Sequence, residues 1–559
     1  METDEKTFIH EYCRNRRLPM TQAHPAAQVF PIHVQCVLLS ILLGLNLNAA
    51  LAQPFTDAPA SLSGYTTGEI EPAMSCANLA NIELREVIAL NVESFPAAEG
   101  VPAHCRVNGT IDPEIHFQVN LPDRWNSRFY MVGNGGHAGQ QPDDPFQAPL
   151  RNQVLTQHFV MASTDTGHDS AKEPGASFVL SNPQKAIDYA FRAVHMTAVT
   201  AKQIANAYYS RPVSYSYWNS CSNGGRQGLL EAQRYPEDFD GIIAVAPWVD
   251  QTGFTIGALW NQRALDEAPV TAGKLALIAD RVIRHCDAVD GLEDGLIDDP
   301  RNCPLNVAEV VPICQTGTDD DSCLTPAQAE AVQKVYDGPR DSSGRRIFHG
   351  FMPGSEAVVT GRDGTVNSGW MNLIVPGGPE ARAADFGLAQ DTMRYLVFQP
   401  PRPDWNYRDF DFDHDSELLE RWSRLADATD INLRAFRARG GKLIITYGWA
   451  DTILQPMMGV DYFEQAVTAN GPDGTDFLRL FMAPGMSHCA GGNGPDQHDA
   501  VTAIIDWVEK NRAPESLLAR KIVNGKVTRS RPLCPYPQVA RYRGQGSIDE
   551  AANFTCEAP

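Results

Sequence analysis

The sequence has no basic tract. Acidic residues outnumber Lys and Arg by 68 to 46, a formal net charge of -22. That balance argues against a partner such as nucleic acid or an anionic membrane and favours solubility. No lysine follows the glycine-rich run Gly133-Asn134-Gly135-Gly136-His137-Ala138-Gly139, which excludes a phosphate loop of the usual kind. The acidic stretch after Cys286 lacks the D-x-[DN]-x-[DN]-G spacing of an EF-hand. The N-terminal apolar run, Val37 to Leu45, is too short to cross a bilayer. Followed by Ala50-Leu51-Ala52 before Gln53, it reads instead as a secretory signal over residues 1–52. Arg14, Arg16 and Arg17 lie far upstream of that run, whereas a start at Met20 would leave it without those bases.

What remains is an ordinary globular composition, 43% hydrophobic and 20% charged over 559 residues, long enough for more than one domain. The 12 cysteines are many for a cytosolic enzyme, and an export signal makes disulfides the expectation. Cys13 and Cys36 fall in the signal, which leaves an even number beyond it.

The chain is organised around Tyr217-Trp218-Asn219-Ser220-Cys221-Ser222-Asn223-Gly224-Gly225-Arg226-Gln227-Gly228. Strand-forming aromatics precede it, and from Gly228 a helix is expected. A serine at a tight strand-to-helix turn is the geometry of a nucleophile elbow. Ser222 is the candidate, with Ser220 in place of the first glycine of G-x-S-x-G and Gly224 at the second. The N–H of Asn223 would donate to an oxyanion, and the glycine run after the strand Arg128–Val132 would supply a second donor from Gly135 or Gly136.

Two later stretches complete the set. Lys442 to Gly448 reads as an apolar strand with Asp451 beyond its end, and Phe477 to Met482 as a last strand whose loop presents His488. The order Ser, Asp, His is that of the α/β-hydrolases. His137, His498, Asp496 and Asp499 compete for the roles of base and acid. Neither histidine is next to a cysteine, as His488 is to Cys489, and neither acid follows a buried strand.

The organisation agrees. An extended lead-in (53–75) precedes an alternating strand pattern from Cys105 to Asn120. Strand patterns at Val160–Asp165 and Gly241–Pro247, with a long helix from Ala186 to Ala207, indicate a parallel sheet covered on both faces. The expected fold is α/β, an α/β-hydrolase with a large inserted lid domain. Residues 53–248 and 431–559 form the catalytic domain, and residues 249–430 the lid, where the strand–helix rhythm lapses. In the lid, Trp370, Phe386, Phe398 and Trp405 are candidates to stack on an aromatic acyl group, and Arg382 to meet a substrate carboxylate. The run Cys286-Asp287-Ala288-Val289-Asp290-Gly291-Leu292-Glu293-Asp294-Gly295-Leu296-Ile297-Asp298-Asp299 gathers the hard oxygens that Ca²⁺ takes.

Cys-Ser at the elbow, His-Cys in the last loop, the acidic run and the tail Arg531-Pro532-Leu533-Cys534-Pro535-Tyr536-Pro537 together resemble the tannase and feruloyl esterase family of secreted serine esterases. The likeness extends from about Cys76 to Cys556. It implies disulfides Cys76–Cys105, Cys221–Cys489, Cys286–Cys303, Cys314–Cys323 and Cys534–Cys556, the second of which would pin Ser222 beside His488. It also implies a structural Ca²⁺ held by Asp287, Asp290 and Asp294 and by the backbone oxygens of Leu292 and Leu296. Lying in the insert and away from the triad stretches, that ion would serve the lid. The activity implied is hydrolysis of small esters of aromatic acids, of feruloyl or galloyl type, or of mono(2-hydroxyethyl) terephthalate. A serine peptidase and a non-catalytic, calcium-stabilised binding protein are the competing classes.

Overall fold

The computed structural model describes residues 54–356, 358–360, 366–378, 381–471 and 473–559, so the segment read as a secretory signal lies outside the described residues. Nine strands build one sheet: β1 (Val87–Phe95), β2 (His104–Ile111), β3 (Ile115–Pro122), β4 (Arg128–Met131), β5 (Val160–Thr164), β6 (Tyr215–Cys221), β7 (Gly241–Val245), β8 (Lys442–Gly448) and β9 (Leu478–Ala483). Their spatial order is β1-β2-β3-β5-β4-β6-β7-β8-β9. The pairs from β1 through β3 to β5 are antiparallel, and every pair from β5 through β4 to β9 is parallel.

The sequence accounts for that division. Every residue of Val-Met-Ala-Ser-Thr in β5 and Gly-Ile-Ile-Ala-Val in β7 is buried, as helix-covered parallel strands require. The edge strand β1 is half wet and carries no strong apolar signal, which is why sequence periodicity does not find it. The lead-in is less extended than its composition suggests. Phe55 and Tyr65 enter the core, and the Tyr65 hydroxyl shares a 2.7 Å hydrogen bond with Thr502 on helix Ala500–Lys510.

The helix expected from Ala186 is one continuous run from Gln184 to Tyr209, interrupted by a π turn over Asp188–Arg192. Residues 249–430 are richer in helix than their irregular composition suggests. They include helices Gln251–Glu267, Ala272–Cys286, Pro326–Asp337 and Ala384–Asp391. The chain leaves and returns at one point, where Ala428 N–H donates to Val249 O at 2.8 Å. Asp427 there accepts from the backbone of Gln251 and Thr252. Most buried apolar residues from Leu265 to Val375 form a cluster of their own, Phe348 excepted, whereas those from Ala383 to Ala428 share the core of the sheet.

Candidate active site

Ser222 follows β6 directly, and its backbone is strained at φ 62°, ψ -124°. Such a conformation costs a non-glycine residue about 1–3 kcal/mol and persists where its surroundings over-determine it. Three backbone hydrogen bonds do so here: Ser222 N–H to Val245 O, and Trp248 and Arg226 N–H to Ser222 O. Helix Asn223–Arg234 starts immediately after the serine, not at Gly228 as the sequence suggested, so the helix runs through the glycines. Gly224 is needed for packing: a Cβ there would land on the Ser220 hydroxyl, so the missing first glycine of the elbow is offset by the second. Cys221 and Asn223 are buried and Ser222 is partly exposed.

Asp451 lies past the end of β8, fully buried, and its Oδ1 accepts from the backbone of Ile453 and Leu454 at 3.0 and 2.8 Å. Its Oδ2 takes His488 Nδ1 at 2.8 Å, which directs the other ring nitrogen away from the acid. Cys221 is bonded to Cys489, so the residue before Ser222 is joined to the residue after His488. Both sulfurs lie within 4.8 Å of a His488 ring nitrogen. Being joined to each other, they are not free thiolates for a metal. The other four disulfides are Cys76–Cys105, Cys286–Cys303, Cys314–Cys323 and Cys534–Cys556.

The glycine loop after β4 faces the elbow. Gln227 on the elbow helix accepts from Asn134 N–H at 3.1 Å, and Asn223 Nδ2 donates to Asn134 O at 3.2 Å. Among the described residues, the N–H groups of Gly135, Gly136 and Asn223 have no partner within the fold, as donors reserved for a ligand would. The competing histidines are differently placed. His498 is fully buried, and burial pulls its imidazole down to about 4. His137 is pulled down to about 3 by burial, then by His168 and Arg226, and its Nε2 pairs with Thr392. Asp499 caps helix Ala500–Lys510 through the Thr502 N–H, and Asp496 binds Gly491 N–H.

The substrate candidates separate. Trp370 is fully buried in the insert's own cluster against Tyr336 and Phe351, with its indole N–H on Ser355. That placement makes it core, not a stacking face for an acyl group. Phe386 is buried edge-on against Tyr407. Arg382 stays half exposed, 5.6 Å over the Phe386 ring and 3.8 Å from Asp391. Phe398 and Trp405 pack on each other. The insert reaches the site elsewhere: Leu388 lies over Gly136 and Thr392 holds His137.

In the acidic run, Asp287 accepts from the backbone of Asp294 and Gly295, and Asp290 from Leu292 and Asp298. Burial, then the charges of Asp290 and Asp294, push Asp298 up to about 7. Asp290 is also raised, by burial and by Asp294 and Asp287. The hairpin of strands Leu517–Val523 and Lys526–Leu533 supplies Arg531 and Arg529 to Asp294. The crowded, partly buried carboxylates carry the hard oxygens that a divalent cation takes, while Asp294 already pairs with the two arginines. The run is not remote from the other loops, contrary to the sequence reading. Leu296 and Ile297 line a small cavity with Trp449, Ala450, Gly485 and Gly492, and a Cβ on Gly485 would strike Leu296. The acidic run therefore abuts the loops that carry Asp451 and His488.

A mostly parallel sheet in this order, with a strained serine after a central strand and an Asp–His pair past the last two strand ends, defines an α/β-hydrolase. The family model for tannase and feruloyl esterase matches residues 100–557. An uncharacterized esterase of Xanthomonas campestris is 34% identical, over 86% of this chain and 91% of its own. The mono(2-hydroxyethyl) terephthalate hydrolase of Piscinibacter sakaiensis is 31% identical, over 83% of this chain and 86% of its own. The crystal structure of feruloyl esterase B from Aspergillus oryzae superposes with a TM-score of 0.71 at 26% identity, covering 86% of this chain and 99% of that one. This chain belongs to the tannase and feruloyl esterase family and is a carboxylic ester hydrolase.

The sequence did not point to Tyr189, although Arg226 lies within the elbow motif. Both are fully buried beside the elbow. The only local hint for Tyr189 is an aromatic in a helix that leads to the strand before Ser222.

Proposed function

We propose that the protein is a secreted serine esterase acting on small esters of aromatic acids, with Ser222 as nucleophile, His488 as base and Asp451 as its orienting acid. The observation that carries this reading is the covalent Cys221–Cys489 link, which joins the residue before the strained serine to the residue after the Asp451-paired imidazole. His488 would take the Ser222 proton as the hydroxyl attacks the ester carbonyl, then return it to the leaving alcohol. The N–H groups of Asn223 and of Gly135 or Gly136 would receive the developing oxyanion. Asp451 carries no proton in this scheme; it holds the ring and stabilises the imidazolium.

Ser222→Ala is expected to fold with an unchanged melting curve and to lose about 10⁴-fold or more in kcat on methyl ferulate. Turnover near that of the parent protein would remove the triad. A fluorophosphonate should label Ser222, which a non-catalytic binding protein would not permit, and an amide analogue should be a far poorer substrate than the ester if this is not a peptidase.

Terephthalate monoesters are a second substrate reading, supported by the relative that hydrolyses one and by the half-exposed Arg382. Comparing methyl ferulate, methyl gallate and a terephthalate monoester, with p-nitrophenyl acetate as control, separates the two. Residues 249–430 would act as the lid. Asp287, Asp290 and Asp294, with the carbonyl oxygens of Leu292 and Leu296, would hold Ca²⁺, whose bound charge would neutralise the crowded acids. Chelation should lower the melting temperature by several degrees, while turnover per folded molecule changes far less. An unchanged melting temperature counts against the ion. Export would follow from residues 1–52, and the disulfides suit an oxidising compartment.

A further inference from the structure

Two π turns occur on elements next to the site, and each presents a side chain to the same glycine loop. From the turn Asp188–Arg192, the buried Tyr189 hydroxyl lies 3.1 Å from Gly136 O and 3.2 Å from Asn223 Oδ1. From the turn Thr392–Val397, Thr392 Oγ1 lies 2.9 Å from His137 Nε2. A π turn inside a helix is rare and is frequently found at functional sites.

The hydroxyl has one proton to donate and can accept in return. It accepts from Gln251 Nε2 at 2.8 Å, and Gln251 Oε1 accepts from the Trp422 indole at 2.7 Å. Trp422 lies parallel to the Tyr189 ring, 6.2 Å between centroids. On the other side, Arg226 donates Nε to Asn223 Oδ1 at 2.6 Å and Nη1 to Ala426 O at 2.7 Å. Its guanidinium lies 5.0 Å over the Tyr189 ring. Gln251 is the second residue past Val249, where the insert leaves, and Trp422 and Ala426 stand just before its return. Burial keeps the Tyr189 hydroxyl protonated, since it raises its titration above the ordinary phenol range.

We propose that Tyr189 is a positioning residue for the oxyanion hole. Its hydroxyl shares one proton between Gly136 O, on the loop carrying the glycine donors, and Asn223 Oδ1, at the elbow turn, and through Gln251 and Trp422 this makes their spacing depend on the inserted segment. The proposal rests on the reading of Ser222 and these N–H donors given above. Two donors from separate elements stabilise an oxyanion only if both point at one place, so a tie between their backbones acts on the transition state more than on the bound ester.

The test uses the full secreted chain and Tyr189→Phe, which keeps the ring and its stacking and removes only the hydroxyl. Active sites are titrated with a fluorophosphonate, so that kcat is expressed per reactive serine and any misfolded fraction drops out. We expect kcat per titrated site on methyl ferulate to fall about tenfold, less than the loss of a donor itself, with KM within about twofold. Phosphonylation should slow in parallel. A kcat per site within twofold of the parent overturns the proposal, as does a loss confined to KM or to the number of titratable sites. If Tyr189→Phe does not fold, Gln251→Met cuts the tie on the insert side and is expected to lower kcat per site about threefold, again with KM held; an unchanged value overturns the proposal. A parent protein that is not labelled at Ser222 points instead to failure of the Ser222 assignment.

Discussion

The two parts of the inserted segment behave differently. Most buried apolar residues from Leu265 to Val375, Trp370 among them, pack with one another, while Phe348 joins the core of the sheet and Leu296 packs against Gly485. Residues from Ala383 to Ala428 share the core of the sheet and bring Leu388 and Thr392 to the glycine loop after β4 and Trp422 to Gln251. A segment that looks uniform in composition is thus one part with a core largely its own, which meets the loops of Asp451 and His488 through the acidic run, and one part whose core is that of the sheet. Aromatic content does not distinguish them, since both have large buried rings. What distinguishes them is which core those rings complete.

The largest expected effect that would break this comparison comes from truncating one ring in each part. Trp370→Ala and Trp422→Ala should each destabilise the protein by about 3–5 kcal/mol, the range for emptying a buried aromatic site. Only Trp422→Ala should also lower kcat per titrated site, because only that indole connects through Gln251 to the glycine loop. Equal kinetics in the two variants, measured beside thermal melts, would abolish the distinction.

A smaller effect tests the neck. Burial, then the charge of Asp250, push the Asp427 carboxyl up to about 7 from an ordinary value of 3.8. Between about pH 4 and pH 7 the unfolded chain releases this proton and the folded chain keeps it, so this group lowers stability as pH rises through that window. Asp427→Asn should flatten that part of the melting temperature against pH, and a slope identical to the parent's would refute the assignment. The smallest effect belongs to Arg382→Ala. Its pairing with Asp391 at 3.8 Å is half exposed and contributes about 0–1 kcal/mol. A rise in KM confined to a terephthalate monoester, with methyl ferulate unaffected, would assign this side chain to the substrate carboxylate.

The buried parallel strands were legible because burial on both faces imposes continuous apolar runs such as Gly241–Val245 and Lys442–Gly448. Helix Ala500–Lys510 was legible because its apolar residues recur at helical spacing. The helix after Ser222 was placed several residues late because its glycines read locally as a turn, whereas in the fold they are places of close approach. β1 was missed because half of it is wet. Trp370 and Phe386 looked alike in sequence, and nothing local says which of two cores a ring enters. The acidic run was read as remote from the triad because it is distant along the chain, yet Leu296 packs against Gly485.

By itself, the sequence determined the strand-to-helix serine, the chain order of Ser222, Asp451 and His488, the apolar strands and the acidic run, because each is a pattern written over a few neighbouring residues. Only the tertiary structure decided which partners those patterns meet. The Tyr189 hydroxyl finds Asn223 and Gln251 at separations of 34 and 62 residues, and the Cys221–Cys489 bond spans 268. Contacts across such distances are fixed by how layers pack, and no local stretch of residues carries that information.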